Sequence, residues 1–179
     1  EILPESFGRL VNLQYLDISY TKLRELPKTF GNLINLRYLE FSTPLTCLPE
    51  EVIGRLTSLR TLKISDSDEL TSLTEGIGKL TRLRSLIVFF CPKLASFPSG
   101  VRYLTALEEL EVFNCQNLMT LSESFASLTS LRKVEIKRCP KLLSLPEGID
   151  NVPVVEIDGK DLNTFNQIHS IRSPVQSSS

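Results

Sequence analysis

Three cysteines at a constant interval are the first residues of this chain whose spacing could support chemistry. Cys91, Cys115 and Cys139 lie 24 residues apart. A repeated structure would therefore bring their thiols into a row, where they could bind a metal, form a disulfide, or each hydrogen-bond the backbone of its own turn. Three equivalent thiols cannot all pair, and a spacing of 24 without a second ligand type is not that of a metal site. We predict structural thiols and no bound metal, and we predict that Cys47, outside the row, is a partly buried thiol.

Carboxylate pairs are the second candidate chemistry. Glu50 and Glu51 are adjacent, as are Glu108 and Glu109. A glycosidase needs two carboxylates in different environments across a cleft, whereas Glu50 and Glu51 are predicted to lie on a solvated convex face. The single histidine, His169, leaves no basis for a His-containing triad in the core, and the chain contains no Gly-x-Ser-x-Gly or phosphate-binding loop motif. We predict no catalytic residues, no cofactor and no enzyme activity.

The amino-acid composition limits the kinds of partner that the protein is predicted to bind. With 41% hydrophobic and 23% charged residues, the sequence is typical of a folded protein. The 20 basic residues are balanced by 21 acidic ones, so neither nucleic acid nor a membrane surface is a predicted partner. No apolar run approaches the roughly 20 residues of a membrane helix. Unpaired thiols indicate a reducing compartment, and we therefore predict a cytoplasmic location.

A repeat must position all of these residues. The chain repeats the segment Leu-x-x-Leu-x-Ile, in which another apolar residue replaces the last or the second of these residues in some copies. The copies begin at Leu13, Leu36, Leu59, Leu83, Leu107 and Leu131, and a weaker copy begins at Val152. Its last two apolar residues alternate with period 2, which predicts a strand with one buried face. The second half of each copy, Leu-x-x-Leu-Pro in its clearest form, has apolar residues three to four apart and predicts a helical turn or short 3₁₀ segment, with Pro near its first position. One such unit cannot bury its apolar face alone, so neighbouring units must stack and place their second leucines in one column.

The predicted fold is of the α/β class: a curved, right-handed solenoid with a parallel sheet of about seven strands on its concave face and short helical turns and loops on its convex face. Residues 1–157 form the array, whose first repeat is incomplete, and this start inside a repeat predicts a piece of a larger protein. Residues 158–172 are predicted to be a C-terminal cap, since Leu162, Phe165 and Ile168 are three residues apart, as in a short helix over the last strand. Residues 173–179 are predicted to be a flexible tail.

The outward strand positions contain the candidate binding site. Phe89 and Phe113 face the same side of adjacent strands, and Ile87 lies two residues before Phe89. Exposed aromatic residues rimmed by charge are typical of interaction sites. The rings could instead cover the turn or meet another domain of the same protein, and Phe90 faces either the surface or the turn core, depending on where its strand ends. The predicted partner-binding residues are Lys63, Asp66, Ile87, Phe89, Phe90, Glu111, Phe113, Lys137 and Arg138.

Charges along the strands predict specific pairs. Arg84, Glu108 and Arg132 occupy the same position in consecutive copies and predict an alternating ladder. Glu109 is predicted to face Lys133. Arg37 and Arg60 are predicted to be neighbours on adjacent strands with no carboxylate between them. This like-charge contact is unfavourable unless Glu40 or a partner compensates it.

These motifs resemble those of a known family. The repeated segments are similar to leucine-rich repeats, and the copies with Cys91-Pro92-Lys93-Leu94 and Cys139-Pro140-Lys141-Leu142 resemble the repeat region of plant nucleotide-binding leucine-rich repeat disease resistance proteins. That resemblance implies protein recognition: a ligand-sensing and autoinhibitory region of an intracellular immune receptor in plant defence, with a pathogen effector or another receptor domain as partner. The family's nucleotide-binding module has no counterpart in these residues. The segment Leu26 to Leu36 also resembles plant Ras-group repeat proteins, which implies a signalling scaffold as an alternative. A separate alternative is the targeting arm of a ubiquitin ligase.

Overall fold

Each Leu-x-x-Leu-x-Ile segment forms a short strand, because its alternating apolar residues give the strand one face to bury. In the computed structural model, which describes residues 2–21 and 23–170, the strands form a single sheet in sequence order. The strands are β1 (Tyr15–Ile18), β2 (Tyr38–Phe41), β3 (Thr61–Ser65), β4 (Ser85–Phe89), β5 (Glu109–Phe113), β6 (Lys133–Lys137), β7 (Val154–Ile157) and β8 (Lys160–Asp161). Strands β1 to β7 pair in parallel and the two-residue β8 pairs antiparallel with β7.

The predicted column of core residues is confirmed by the register of the sheet. Leu39 pairs with Leu16 on one side and Leu62 on the other, and the same alignment continues through Leu86 and Leu110. From Leu39 onward these leucines are completely buried, whereas Leu16, on the first strand, is only partly covered. Each repeat therefore depends on its two neighbours for the apolar contacts that it cannot make itself.

The second half of each repeat forms a short helical turn on the convex side. Most are 3₁₀ turns, at Glu5–Arg9, Lys28–Asn32, Glu75–Lys79, Ser99–Tyr103, Glu123–Ser127 and Ile149–Asn151, while α1 (Glu50–Ile53) is a single α-helical turn. As predicted, a proline lies near the first position of the turn: Pro27 and Pro98 occupy the N-cap, one residue before the turn begins. There the Pro27 carbonyl accepts the hydrogen bond of the Phe30 N–H (2.9 Å) and so closes the turn.

The C-terminal end differs from the rest of the array. The helix α2 (Leu162–Ser170) follows β8 and contacts both β7 and β8. Its Phe165 is buried against the core and Leu162 packs at its margin, so these residues cover the last strand. β8 was not anticipated from the sequence. The side chain of Ile168 and the predicted tail at 173–179 lie outside the described residues.

The resulting molecule is a right-handed, curved solenoid with the parallel sheet on its concave face, as the repeat pattern predicts. In the part of the chain that the structure describes, no helix has the length and apolar character needed to span a bilayer.

A candidate protein-binding surface on the concave face

Four side chains form an apolar cluster on the outward side of β4 and β5, which we call the aromatic patch: Ile87, Phe89, Phe90 and Phe113. Phe89 and Phe113 are register partners, and their ring centroids are 5.6 Å apart. The Phe90 ring packs edge-on against Phe89, with a centroid distance of 4.6 Å. Phe90 is 42% exposed, so its ring lies at the surface and not in the turn core.

The backbone conformation after β4 determines where Phe90 points. Phe90 has a φ of 53°, in the left-handed region that non-glycine residues seldom adopt. The same conformation recurs at the equivalent residue of other repeats, at Tyr20, Asp66, Asn114 and Arg138. It is stabilised by the next repeat, since the N–H of Phe90 donates to the carbonyl of Phe113 (2.9 Å). The turn thus places a second aromatic ring beside Phe89.

Ile87 lies between two charged residues in the central row of the concave face. Its register partners are Lys63 on β3 and Glu111 on β5. The sequence predicted both of these charges as a rim for the aromatic patch. The structure shows that each is already engaged in an ion pair within the chain.

Lys63 belongs to a network on β2 and β3. Its ammonium is 2.8 Å from Glu40, which also accepts a hydrogen bond from the Tyr38 hydroxyl (2.7 Å). Glu40 is only 8% exposed, so both contacts compensate a carboxylate that has lost most of its water. The hydrogen bond to Glu40 raises the pKa of Lys63 against the opposing effect of burial.

A second network surrounds Lys133 on β6. Its ammonium is 3.0 Å from Glu111 and 2.7 Å from Glu135. Glu135 also pairs with Lys137, whose ammonium lies 5.6 Å from the centroid of the Phe113 ring. Hydrogen bonds from Lys133 and then Lys137 lower the pKa of Glu135, which burial alone would raise. Both lysines are therefore held close to the aromatic patch by carboxylates of the same sheet.

These networks correct part of the predicted charge pattern. Arg84 pairs with Glu108 at 3.5 Å, as predicted, but among the described residues Glu108 forms no ion pair with Arg132. Lys133 is in register with Glu109, yet its ammonium binds two carboxylates of the central row instead, because together they offer more charge than Glu109 does. Glu40 pairs with Lys63, and in the described part of the chain it forms no ion pair with Arg37 or Arg60.

The two remaining rim residues, Asp66 and Arg138, occupy left-handed turn positions. Asp66 lines an open cleft of about 410 Å³ beside the ends of β1 to β3, together with Arg24, Asp68 and Glu69. The backbone N–H of Arg138 donates to the Asp158 carboxylate (2.7 Å). The side chains of Asp66 and Arg138 form no ion pair within residues 2–21 and 23–170.

The cysteine row is structural. Cys91, Cys115 and Cys139 are buried and unpaired, and each thiol lies 3.4–3.7 Å from the carbonyl oxygen two residues earlier, at the end of its own strand. A hydrogen bond with Cys139 lowers the pKa of Cys115, but the neighbouring Cys91 thiol and burial outweigh it and raise that pKa to about 12. Cys47 is exposed. The prediction that it is partly buried was wrong, because its backbone bridges to Ser72 in an outer ladder at the surface.

A pair of tyrosines on the concave face was missed by the sequence analysis. Tyr15 and Tyr38 are register partners on β1 and β2, and their rings stack in parallel with centroids 4.3 Å apart. The signal was available, since both residues stand two positions after the first leucine of their repeats. Neither residue contributes to the aromatic patch, which lies on β4 and β5.

Comparison with known proteins decides the family. The family model described as the leucine-rich repeat region matches residues 1–91 and, in a second overlapping match, residues 28–146. The chain belongs to the leucine-rich repeat family. Domains of this family are generally non-catalytic modules for protein interaction, and their curved sheets offer extended concave surfaces for it.

Two solved structures illustrate the similarity of this leucine-rich repeat chain to longer proteins. A leucine-rich repeat protein of Leptospira interrogans is 26% identical, with a TM-score of 0.68 over 83% of this chain and 37% of its own length. The plant peptide hormone receptor RGFR1, in complex with RGF2, is 27% identical, with a TM-score of 0.54 over 87% of this chain and 31% of its own. The chain thus spans about a third of each protein. A comparison with curated proteins finds no match.

Proposed function

We propose that this leucine-rich repeat region is the ligand-sensing and autoinhibitory part of a plant intracellular immune receptor acting in the defence response in the cytoplasm. In this role its aromatic patch contacts a pathogen effector or another domain of the same receptor. Support comes from the copies with Cys-Pro-Lys-Leu at their turns and from the cluster that the exposed Phe90 ring forms with the half-buried rings of Phe89 and Phe113. A plant receptor of the same fold is in complex with RGF2, which favours a recognition role for a repeat array of this kind.

The observation that carries the proposal is the cluster of three aromatic rings on the concave side, of which Phe90 is exposed and Phe89 and Phe113 are half-buried. A phenylalanine gains free energy when it leaves water, and residues of this kind dominate the affinity of protein interfaces. Phe89 is in ring contact with both Phe90 and Phe113, and this continuous apolar surface favours a partner that covers it.

The experiment is to measure the binding of candidate effectors, and of the receptor's other domains, to the Phe89→Ala, Phe113→Ala double variant. We expect an affinity loss of at least about tenfold, because two central apolar anchors are removed. Tyr103→Ala on the convex face is the matched control, since Tyr103 is also an exposed aromatic residue and its loss is expected to leave binding unchanged. Unchanged affinity of a stably folded double variant would contradict the proposed surface.

A further inference from the structure

Three of the five charged residues predicted around the aromatic patch, Lys63, Glu111 and Lys137, form ion pairs within the chain, whereas Asp66 and Arg138, at the turns after β3 and β6, form none among the described residues. Lys63 is paired with Glu40, and Glu111 is paired with Lys133. Lys137 is paired with Glu135 and also lies over the Phe113 ring. The three charges nearest to the patch by register are thus each compensated at short distance on the same sheet.

A partner that offered a charge to this rim would have to compete with these internal pairs. Glu40 and Glu135 are each only 8% exposed, so loss of either lysine partner would leave a largely buried carboxylate uncompensated, which is costly. A charged side chain of the partner would itself lose water on approach to Ile87 and the phenylalanine rings. Both effects disfavour a charged contact at the centre of the site.

Next to the rings, the same row of the sheet carries a small residue on β3. Ser65 is the register partner of Phe89 on β3, and Ser42 directly follows the end of β2. Ser65 is only 2% exposed, so it offers no surface of its own to a partner. The half-buried rings of Phe89 and Phe113 and the exposed ring of Phe90 are therefore the apolar surface that a partner meets on this side of the sheet.

We propose that the partner contacts the aromatic patch through an uncharged, apolar segment, and that the charges of Lys63, Glu111 and Lys137 position the surface without contributing to recognition. This inference rests on the proposed function, since it names the chemistry of the partner at the same site. Recognition then depends on apolar contact area and shape. It is accordingly insensitive to ionic strength, which screens attraction between exposed charges.

The test uses random twelve-residue peptides displayed on phage and selected against the immobilised full chain. We expect enriched sequences to share aromatic or branched aliphatic residues without a common Lys, Arg, Asp or Glu. Synthetic versions are expected to bind Phe89→Ala at least about tenfold more weakly. Their affinity for the Glu40→Gln, Lys63→Gln double variant, which removes both members of one ion pair, is expected to stay within about twofold, as is their affinity between low and high salt.

The outcomes separate this inference from the proposed function. A charged consensus whose binding is lost in Phe89→Ala would overturn the uncharged partner but retain the patch as a site. Apolar peptides that bind Phe89→Ala normally would refute the patch itself, and with it the proposed surface. Failure to enrich any peptide would also overturn the inference, because a free apolar segment would then not suffice for binding. Circular dichroism of each variant distinguishes lost contact from lost fold.

Discussion

A buried serine beside the aromatic patch has no hydrogen-bond partner among the described residues. Ser65 faces the concave side but is only 2% exposed, and its hydroxyl is unsatisfied. Two residues later, the fully buried Ser67 hydroxyl accepts from the Thr43 N–H and donates to the Ser65 carbonyl, both at 3.0 Å. The Ser65 hydroxyl is therefore buried without a hydrogen bond, whereas the Ser67 hydroxyl makes two.

We predict opposite effects for the two Ser→Ala substitutions. Ser65→Ala removes a hydroxyl that gives up its hydrogen bonds to water on folding and gains none within the described residues. The free energy of unfolding is therefore expected to rise by up to about 1 kcal/mol. Ser67→Ala leaves the Thr43 N–H without its partner, and a loss of about 1–3 kcal/mol is expected. Urea denaturation of both variants measures the difference. A Ser65→Ala protein as unstable as Ser67→Ala would show that the Ser65 hydroxyl contributes to the fold.

At the scale of the element, the convex turns pack through their backbones where glycine permits it. A Cβ atom added at Gly78 would lie 2.6 Å from the Gly100 carbonyl oxygen, a contact that the neighbouring turn could relieve only by moving. At Gly31 the nearest atom is instead the Arg55 Cδ at 3.0 Å, part of a flexible side chain. The spacing of neighbouring turns is therefore tightly constrained where a glycine faces backbone, as between the fourth and fifth turns at Gly78 and between the first and second at Gly8, and less constrained at Gly31.

Substitution of these glycines by alanine tests that constraint. Gly78→Ala is expected to lower the free energy of unfolding by about 1–3 kcal/mol, because the added methyl group meets backbone in a packed interior. Gly31→Ala is expected to change it by less than about 1 kcal/mol, since Arg55 can rotate away and alanine lowers the entropy of the unfolded chain. Thermal melting monitored by circular dichroism compares the two. Equal effects would argue that the turns slide past one another freely.

The strands and turns could be predicted because they follow from the spacing of apolar residues. Leu39, Leu62 and Leu86 align as their period requires, and the convex turns begin after Pro27 and Pro98 in the predicted half of the repeat. β8 could not be predicted, since a two-residue strand has too few residues to show a period.

Much less of the charge arrangement could be predicted, because a long side chain reaches several neighbours. Lys133 is opposite Glu109 by register but pairs with Glu111 and Glu135, all of which lie within reach of a lysine on a sheet. The strand register determines which carboxylates a lysine can reach. Which of them it pairs with depends on side-chain rotamers, which the spacing of residues in the sequence does not determine. The apolar members of the candidate site could be located from the sequence, while the internal pairing of its rim could not.

At the scale of the whole molecule, every strand pairs with its neighbour in sequence. Leu110 is completely buried near the middle of the sheet, between Leu86 and Val134. A defect there acts on the repeats on both sides, because neither has another source of apolar contacts. A defect at Leu16, on the partly covered first strand, acts on one side only.

We predict that Leu110→Asp prevents the repeats around it from folding. The substitution removes a large apolar contact and buries an unpaired charge, a combination that exceeds the usual stability of a domain of this size. Leu16→Asp is the matched control and is expected to keep a cooperative transition at a lower midpoint. Gel filtration and thermal melting measure both variants. A soluble, cooperatively melting Leu110→Asp protein would contradict the assigned register.

The sequential order of the strands also has a mechanical consequence. If the described chain were stretched from its two ends, each strand would detach from one neighbour at a time, because no strand is pinned by a distant part of the sequence. A repeat of 24 residues would release roughly 80 Å of extended chain when it opens. The solenoid would then lengthen under tension in a series of similar steps, as a spring with discrete coils does.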